Sequence, residues 1–274
     1  MQLPTETGAY HRPSDVELAQ LFVQKYGRIT EVGWSPRQRH QFGYYLPADV
    51  YEALLTRVIV PGCHWLDVGG GHHIFPENAG LSRTLATRAA TVVAVDPSEN
   101  VLQNPYVHER VQAMIEDYQT ERTFDVATLR MVAEHVAEPE RMVQALHRLL
   151  RPSGVVVILT VYNLSPLTIL SRALPFRWHH PIKKFFWGGE EGDTFPVEYK
   201  MNSRPALRRL FQTNGFREVS FSYLDDLSTL GQFRIGSRLE LWAWRLLRAL
   251  RLRYPESCLL GVYQKARKNP VENP

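Results

Sequence analysis

The chain has 274 residues, 44% of them hydrophobic and 22% charged, enough apolar material for one large buried core. No run reaches the ~18 uninterrupted apolar residues of a membrane span, and the opening MQLPTETGAYHRPSDVE lacks an apolar signal region, so a cytoplasmic protein is expected. Only two cysteines are present, Cys63 and Cys258, which excludes a disulfide framework or a cysteine-based zinc site, and a net charge of +4 is too mild to demand a nucleic-acid partner.

In chain order, residues 1–45 are polar and punctuated by Pro and Gly, with one helix expected over Ser14–Tyr26, where Ser14 and Glu17 have the spacing of a capping box. A second helix is expected over Pro47–Val58. From there strands and helices alternate. Trp65–Val68 is a short apolar strand, 80–88 a helix, Thr91–Val95 a β-branched strand, and Phe124–Leu129 another strand. Pro139–Leu150 has the periodicity of an amphipathic helix, and after the turn RPSG the run Val155–Val161 is a strand. Strands that are apolar on both faces, separated by helices, predict a parallel sheet covered on both sides. The expected class is therefore α/β, a doubly wound Rossmann-like sheet in a single domain over 1–274, with residues 1–60 as a helical cap.

Glycines cluster where such a sheet binds ligands. In LDVGGGHHIFPENAG, Gly69, Gly70 and Gly71 follow the first strand, and Asp67 lies just before them. A dinucleotide fingerprint would require a third glycine at the position held by Ile74, and an acid at Asp67 disfavours a diphosphate while suiting an amine or other cation. Asp96, closing the second strand in VVAVDPS, has the chemistry to accept both hydroxyls of a ribose. Adenosine fits this pair of acids; a nicotinamide dinucleotide does not.

The runs WLDVGGG, VVAVDPS and FDVATLRMVAEHVAEPERMVQALHRLLRPSGVVVIL, in that order, resemble the class I S-adenosylmethionine-dependent methyltransferases, specifically the small-molecule branch whose corresponding region reads FD…EHV…P…L…RPGG. The resemblance covers about 62–161. It implies a seven-stranded sheet with an antiparallel last strand, for which GFREVSFSYL and SCLLGVYQKA are the closing pair. It also implies that Asp67 and Gly69–Gly71 hold the methionine end of S-adenosyl-L-methionine and that Asp96, next to Pro97, holds the ribose. Ile115 and Glu116 in MIED would flank the adenine, and Leu129 and Arg130 would line the floor. Two positions depart from the family pattern: His73 replaces its third loop glycine, and Met114 stands where an Asp is common.

Methyl transfer to a hydroxyl benefits from a base, and the candidates are His135, Glu134 and Tyr162, with His73 in the loop. Each also has a plain structural reading, as a cap or an exposed side chain. His64, His72, His73, His179 and His180 lack the spacing of a metal site, and no metal is expected. Two insertions, 162–203 and 228–255, exceed what the core needs and are expected to form helical substrate lids. The second, TLGQFRIGSRLELWAWRLLRALRLRYP, sets arginines among Leu and Trp. Packing on the lid with solvated arginines is the favoured reading of this stretch; a basic amphipathic surface over 236–253 that meets anionic lipid is the sharper one. The resulting expectation is a methyltransferase acting on oxygen or nitrogen of a small-molecule, glycan, natural-product or lipid- or sugar-linked acceptor. An inactive cofactor-binding protein and a nucleic-acid methyltransferase are the alternatives.

Overall fold

A computed structural model describes residues 7–165, 168–169, 196–227, 230–252 and 254–267. Its elements are α1 (Asp15–Tyr26), α2 (Trp34–Phe42), α3 (Pro47–Val58), β1 (His64–Val68), α4 (Ala79–Arg88), β2 (Thr91–Asp96), β3 (Glu109–Gln112), β4 (Phe124–Arg130), α5 (Pro139–Leu149), β5 (Leu150–Val161), α6 (Arg204–Thr213), β6 (Phe216–Asp225), α7 (Arg234–Ala249) and β7 (Glu256–Lys265). The seven strands form one sheet in the order β3-β2-β1-β4-β5-β7-β6, with β7 antiparallel to both of its neighbours. The doubly wound sheet and its antiparallel last strand agree with the sequence. Chain order reverses between β1 and β4, which opens a crevice at their carboxyl ends.

The parallel strands β1, β2 and β4 are buried almost throughout, as expected for strands covered on both faces. The strand β3 has no counterpart among the expected elements. Its sequence ERVQ is polar and lies at the sheet edge, where half-exposed residues leave no apolar run. Helix α2 was also unexpected: WSPRQRHQF has little apolar periodicity, and the helix is held by packing against α7.

The turn expected at RPSG is a correction. The strand β5 begins at Leu150, pairs with Phe124, and shifts register before Val155, with Ser153 in the left-handed region at φ 65°. The segment is thus an irregular start to the strand and not a separate connection.

The N-terminal helices are fixed to the core by buried charge. Ser14 and Glu17 complete the expected capping box of α1. At its far end the Lys25 ammonium lies 3.0 Å from both Asp49 and Glu52 of α3, with all three side chains almost fully buried. Asn78 donates to Glu52 and its side-chain oxygen caps α4, so this network reaches the segment following the glycine loop.

Candidate functional site

A cleft of about 300 Å³ lies over the carboxyl ends of β1, β2 and β4. Gly69 and Gly71 form one wall, Asp96 and Pro97 the second, Ile115 and Glu116 the third, and His135 the fourth. The expected residues of four separate sequence segments therefore meet at one place.

Gly69 adopts φ 74°, and a Cβ there would lie 2.1 Å from the Val132 side chain. Only glycine allows the segment after β4 to close on the loop so tightly. The Gly69 amide donates to the Val95 carbonyl, and the Gly71 amide donates to Asp96 Oδ2 at 3.0 Å. The other Asp96 oxygen accepts from the Ser98 amide at 2.8 Å. Asp96 is thus locked by two backbone donors, and each carboxylate oxygen keeps a further lone pair for a ligand hydroxyl.

Asp67 lies beneath the loop, outside the cleft lining. Its Oδ1 accepts from Thr128 Oγ1 at 2.7 Å, and Thr128 in turn accepts from the Trp65 indole. Burial, reinforced by the charge of Asp96, pushes the Asp67 carboxyl up to about 7; the Thr128 hydrogen bond and Arg130 oppose the shift without cancelling it. Among the described residues neither Asp67 nor Asp96 forms an ion pair. Gly70, Leu129 and Arg130 also sit outside the lining. Asn104 fixes the Gly70 carbonyl, and the Arg130 Nε is buried without a partner among the described residues. Glu116 Oε2, in a residue that lines the cleft, is a buried acceptor without a donor among the described residues.

The three proposed catalytic side chains part company. His135 lines the cleft, and its Nδ1 lies 3.0 Å from the Pro196 carbonyl. A carbonyl only accepts, so Nδ1 carries a proton, which in the neutral form of the ring puts the lone pair on Nε2. Glu134 is buried beneath, its Oε2 accepting from Thr160 Oγ1 at 2.7 Å, while Asn202 donates to the same hydroxyl oxygen. Burial raises the Glu134 carboxyl above its ordinary value despite Thr160. Tyr162, past the end of β5, packs edge-on against Tyr223 and does not reach the cleft lining. His73 is exposed, with its ring near Tyr106, while Ile74 beside it is buried in the core.

Met131, Val132 and Met142 line the cleft without having been expected from sequence. Met131 has φ 55°, a left-handed residue at the end of β4 that turns the chain toward the glycine loop. No local pattern marks it. A second cleft of about 650 Å³, between the start of α1, Tyr44, the end of β6 and α7, shares no lining residue with the first and contains no glycine-loop atoms. The chemistry of the acids and the loop places the candidate site in the smaller cleft.

Residues 170–195, including most of the first expected lid as well as His179 and His180, lie outside the described residues. The two flanks of that insertion meet, with the Asn163 amide donating to the Asn202 carbonyl. Its returning flank is bound to the turn that carries His135: the Glu198 and Tyr199 amides donate to the Glu134 carbonyl at 2.7 and 3.2 Å.

A family model described as a methyltransferase domain matches residues 37–220. The ubiquinone biosynthesis O-methyltransferase of Pseudomonas putida is 30% identical over 194 residues, covering 57% of this chain and 80% of that protein. The enzyme of the same name from Coxiella burnetii is 25% identical over 158 residues; the match covers 54% of this chain and 65% of the relative, just under two thirds of its length. Among solved structures, a chain of the complex between the Haloferax volcanii Trm112 methyltransferase activator and its methyltransferase superposes with a TM-score of 0.53 at 16% identity, covering 86% of this chain and 96% of that one. YcgJ of Bacillus subtilis gives 0.51 at 13% identity, with 80% and 99% covered. These two establish the likeness of fold. With the family model spanning more than half of its residues, the chain belongs to the methyltransferase domain family.

Proposed function

We propose that this protein transfers a methyl group from S-adenosylmethionine to an oxygen of a small-molecule acceptor, with the adenosine in the cleft over β1, β2 and β4. The observation that carries the reading is Asp96, fixed through both oxygens by the Gly71 and Ser98 amides inside a cleft walled by the glycine loop. The name shared by the Pseudomonas and Coxiella relatives supports oxygen as the accepting atom.

The residues present suit the cofactor. Asp96, with Pro97 beside it, would hold the ribose hydroxyls. The orphaned Glu116 Oε2, next to Ile115, would accept from an exocyclic amine such as that of adenine. Gly69, Gly70 and Gly71 would hold the amino-acid end, Asp67 beneath them would supply the negative charge facing its ammonium, and Leu129 and Arg130 would form the floor.

The bound sulfonium supplies a strongly activated methyl group. The chain's task is to align the acceptor and exclude water, for which positioning accounts for up to ~7–11 kcal/mol of barrier. His135 Nε2 would accept the proton of the acceptor hydroxyl, a contribution of ~10²–10⁴-fold. Glu134 would act as a positioning residue: its buried carboxylate and its doubly held carbonyl fix the turn that presents His135. Tyr162 stands as the second candidate base, and 162–203 as the acceptor's lid, since its returning flank is tied over His135 through Pro196.

The test is incubation of the purified chain with methyl-labelled cofactor and a metabolite extract rich in phenols. Label is expected in a small molecule, with S-adenosylhomocysteine left behind. His135→Gln should lower kcat by ~10²–10⁴-fold with cofactor affinity unchanged. Cofactor binding without any S-adenosylhomocysteine formed would instead identify a binding protein without turnover; unchanged kcat in His135→Gln would remove the proposed base.

A further inference from the structure

Helix α7 presents two unlike apolar faces. Leu241 and Trp244 are buried against Tyr44 and Leu227, and Trp244 Nε1 donates to Asp225 at 2.7 Å, so one face is anchored to the protein. Ile235, Leu239, Trp242, Leu246 and Leu250 advance by four, three, four and four residues, which keeps them on one side of a 3.6-residue helix. That side is the opposite one, and these five side chains are 56% to 77% exposed.

Charge flanks the row. Arg234, Arg238 and Arg245 follow the same spacing along one edge of the stripe. The single acid of the helix, Glu240, is turned inward, accepting from the Leu230 amide and the Tyr254 hydroxyl. Where α7 meets α2, a groove of about 650 Å³ adds Trp34 and Arg37 to Arg234, Arg238 and Trp242, and none of the described residues lining it is acidic. Trp242 is braced edge-on by Phe42 at 5.7 Å, a fixed indole beside a basic groove. No described helix is long and apolar enough to cross a membrane.

We infer that the outer face of α7, with the α2 groove, docks the protein on an anionic phospholipid surface, the apolar row entering the headgroup boundary and the arginines meeting lipid phosphates. An apolar stripe with cations along its border, on a helix whose reverse side is anchored, is complementary to such a surface in both respects. A water-facing helix would place its charges, not five large apolar groups, outward. The contact is independent of the methyl acceptor.

Sedimentation of the full chain with vesicles tests it. Vesicles of mixed phosphatidylglycerol and phosphatidylcholine are expected to carry the protein down, and phosphatidylcholine alone far less. The Arg234→Gln/Arg238→Gln/Arg245→Gln variant should lose about a hundredfold in partitioning onto the anionic vesicles, given the usual contribution of each basic residue. Leu239→Glu/Leu246→Glu should abolish it. Should these variants fail to fold, tryptophan quenching by brominated anionic lipid supplies a second reading: quenching in the natural chain should drop in Trp242→Phe and be largely lost in Trp34→Phe/Trp242→Phe. Equal binding to neutral vesicles, or no binding to either, would overturn the inference. So would a dimer that Leu239→Glu/Leu246→Glu dissociates, because a second copy would then be what covers the row.

Discussion

Two clusters of buried acids lie on either side of the glycine loop, and they are built in opposite ways. In the first, Asp49 and Glu52 share the Lys25 ammonium, and Tyr26, Asn78 and the Leu46 amide supply further donors. Burial alone would lower the Lys25 pKa, but the two carboxylates outweigh it and hold it above its ordinary value; burial keeps Glu52 raised even so. In the second, Asp67 and Asp96 have no cation at ion-pair distance among the described residues and are held by a hydroxyl and two backbone amides. The first cluster has a cation shared among its acids and joins α1 to α3. The second leaves negative charge and lone pairs beside a cleft, a state suited to a ligand that brings a cation and hydroxyls. A buried acid is a sign of function here only where its counter-charge is missing.

The difference can be tested from each side. The largest effect is expected from Asp96→Ala, which removes two charge-assisted hydrogen bonds to ribose worth ~1.5–3 kcal/mol each, so S-adenosylhomocysteine affinity should fall by ~3–6 kcal/mol in calorimetry. Unchanged affinity would show that the ribose sits elsewhere. Lys25→Met should act in the converse sense. Stranding two buried carboxylates should cost ~3–5 kcal/mol of folding stability in urea titration, while cofactor affinity of the folded protein stays as it was. A loss of affinity matching the loss of stability would mean that the two clusters are not separate in role.

The third effect depends on pH. The Asp67 carboxyl titrates near 7 in the folded chain against an ordinary 3.8, so the folded state binds this proton more tightly than the unfolded state. Stability of the ligand-free protein should therefore fall as pH rises from about 4 to about 7 and level off above, by this group alone, with a size of ~2–4 kcal/mol. Asp67→Asn should remove that slope, leaving a variant that matches the natural chain only below about pH 4, is already more stable at pH 5 and more so at pH 8, yet is weaker in binding S-adenosylhomocysteine. Parallel stability profiles of the two proteins between pH 5 and 8 would contradict the assignment.

The sequence by itself determined the alternation of β and α elements, the capping box at Ser14, the glycine loop, and the acids at the ends of β1 and β2, because each rests on residues a few positions apart. Spacing and side-chain chemistry are local quantities. It also supplied His135 and Glu134 as a pair, but not their division of labour. Adjacent positions in a short turn face different ways, and only the placement of Thr160 and Asn202, from β5 and the segment before α6, draws Glu134 inward while His135 remains at the cleft. Met131 and Val132 escaped notice for a similar reason: their role follows from a left-handed backbone at the end of β4 and from a gap at Gly69 more than sixty residues earlier. Polar α2 and edge strand β3 carry weak periodicity and exist through their neighbours. The tertiary structure likewise decided which side of α7 meets the protein. Its apolar residues fall on two opposite faces, and Tyr44, distant in sequence from Asp225 and Leu227, joins them in anchoring one face, while the large apolar side chains of the other stay mostly exposed.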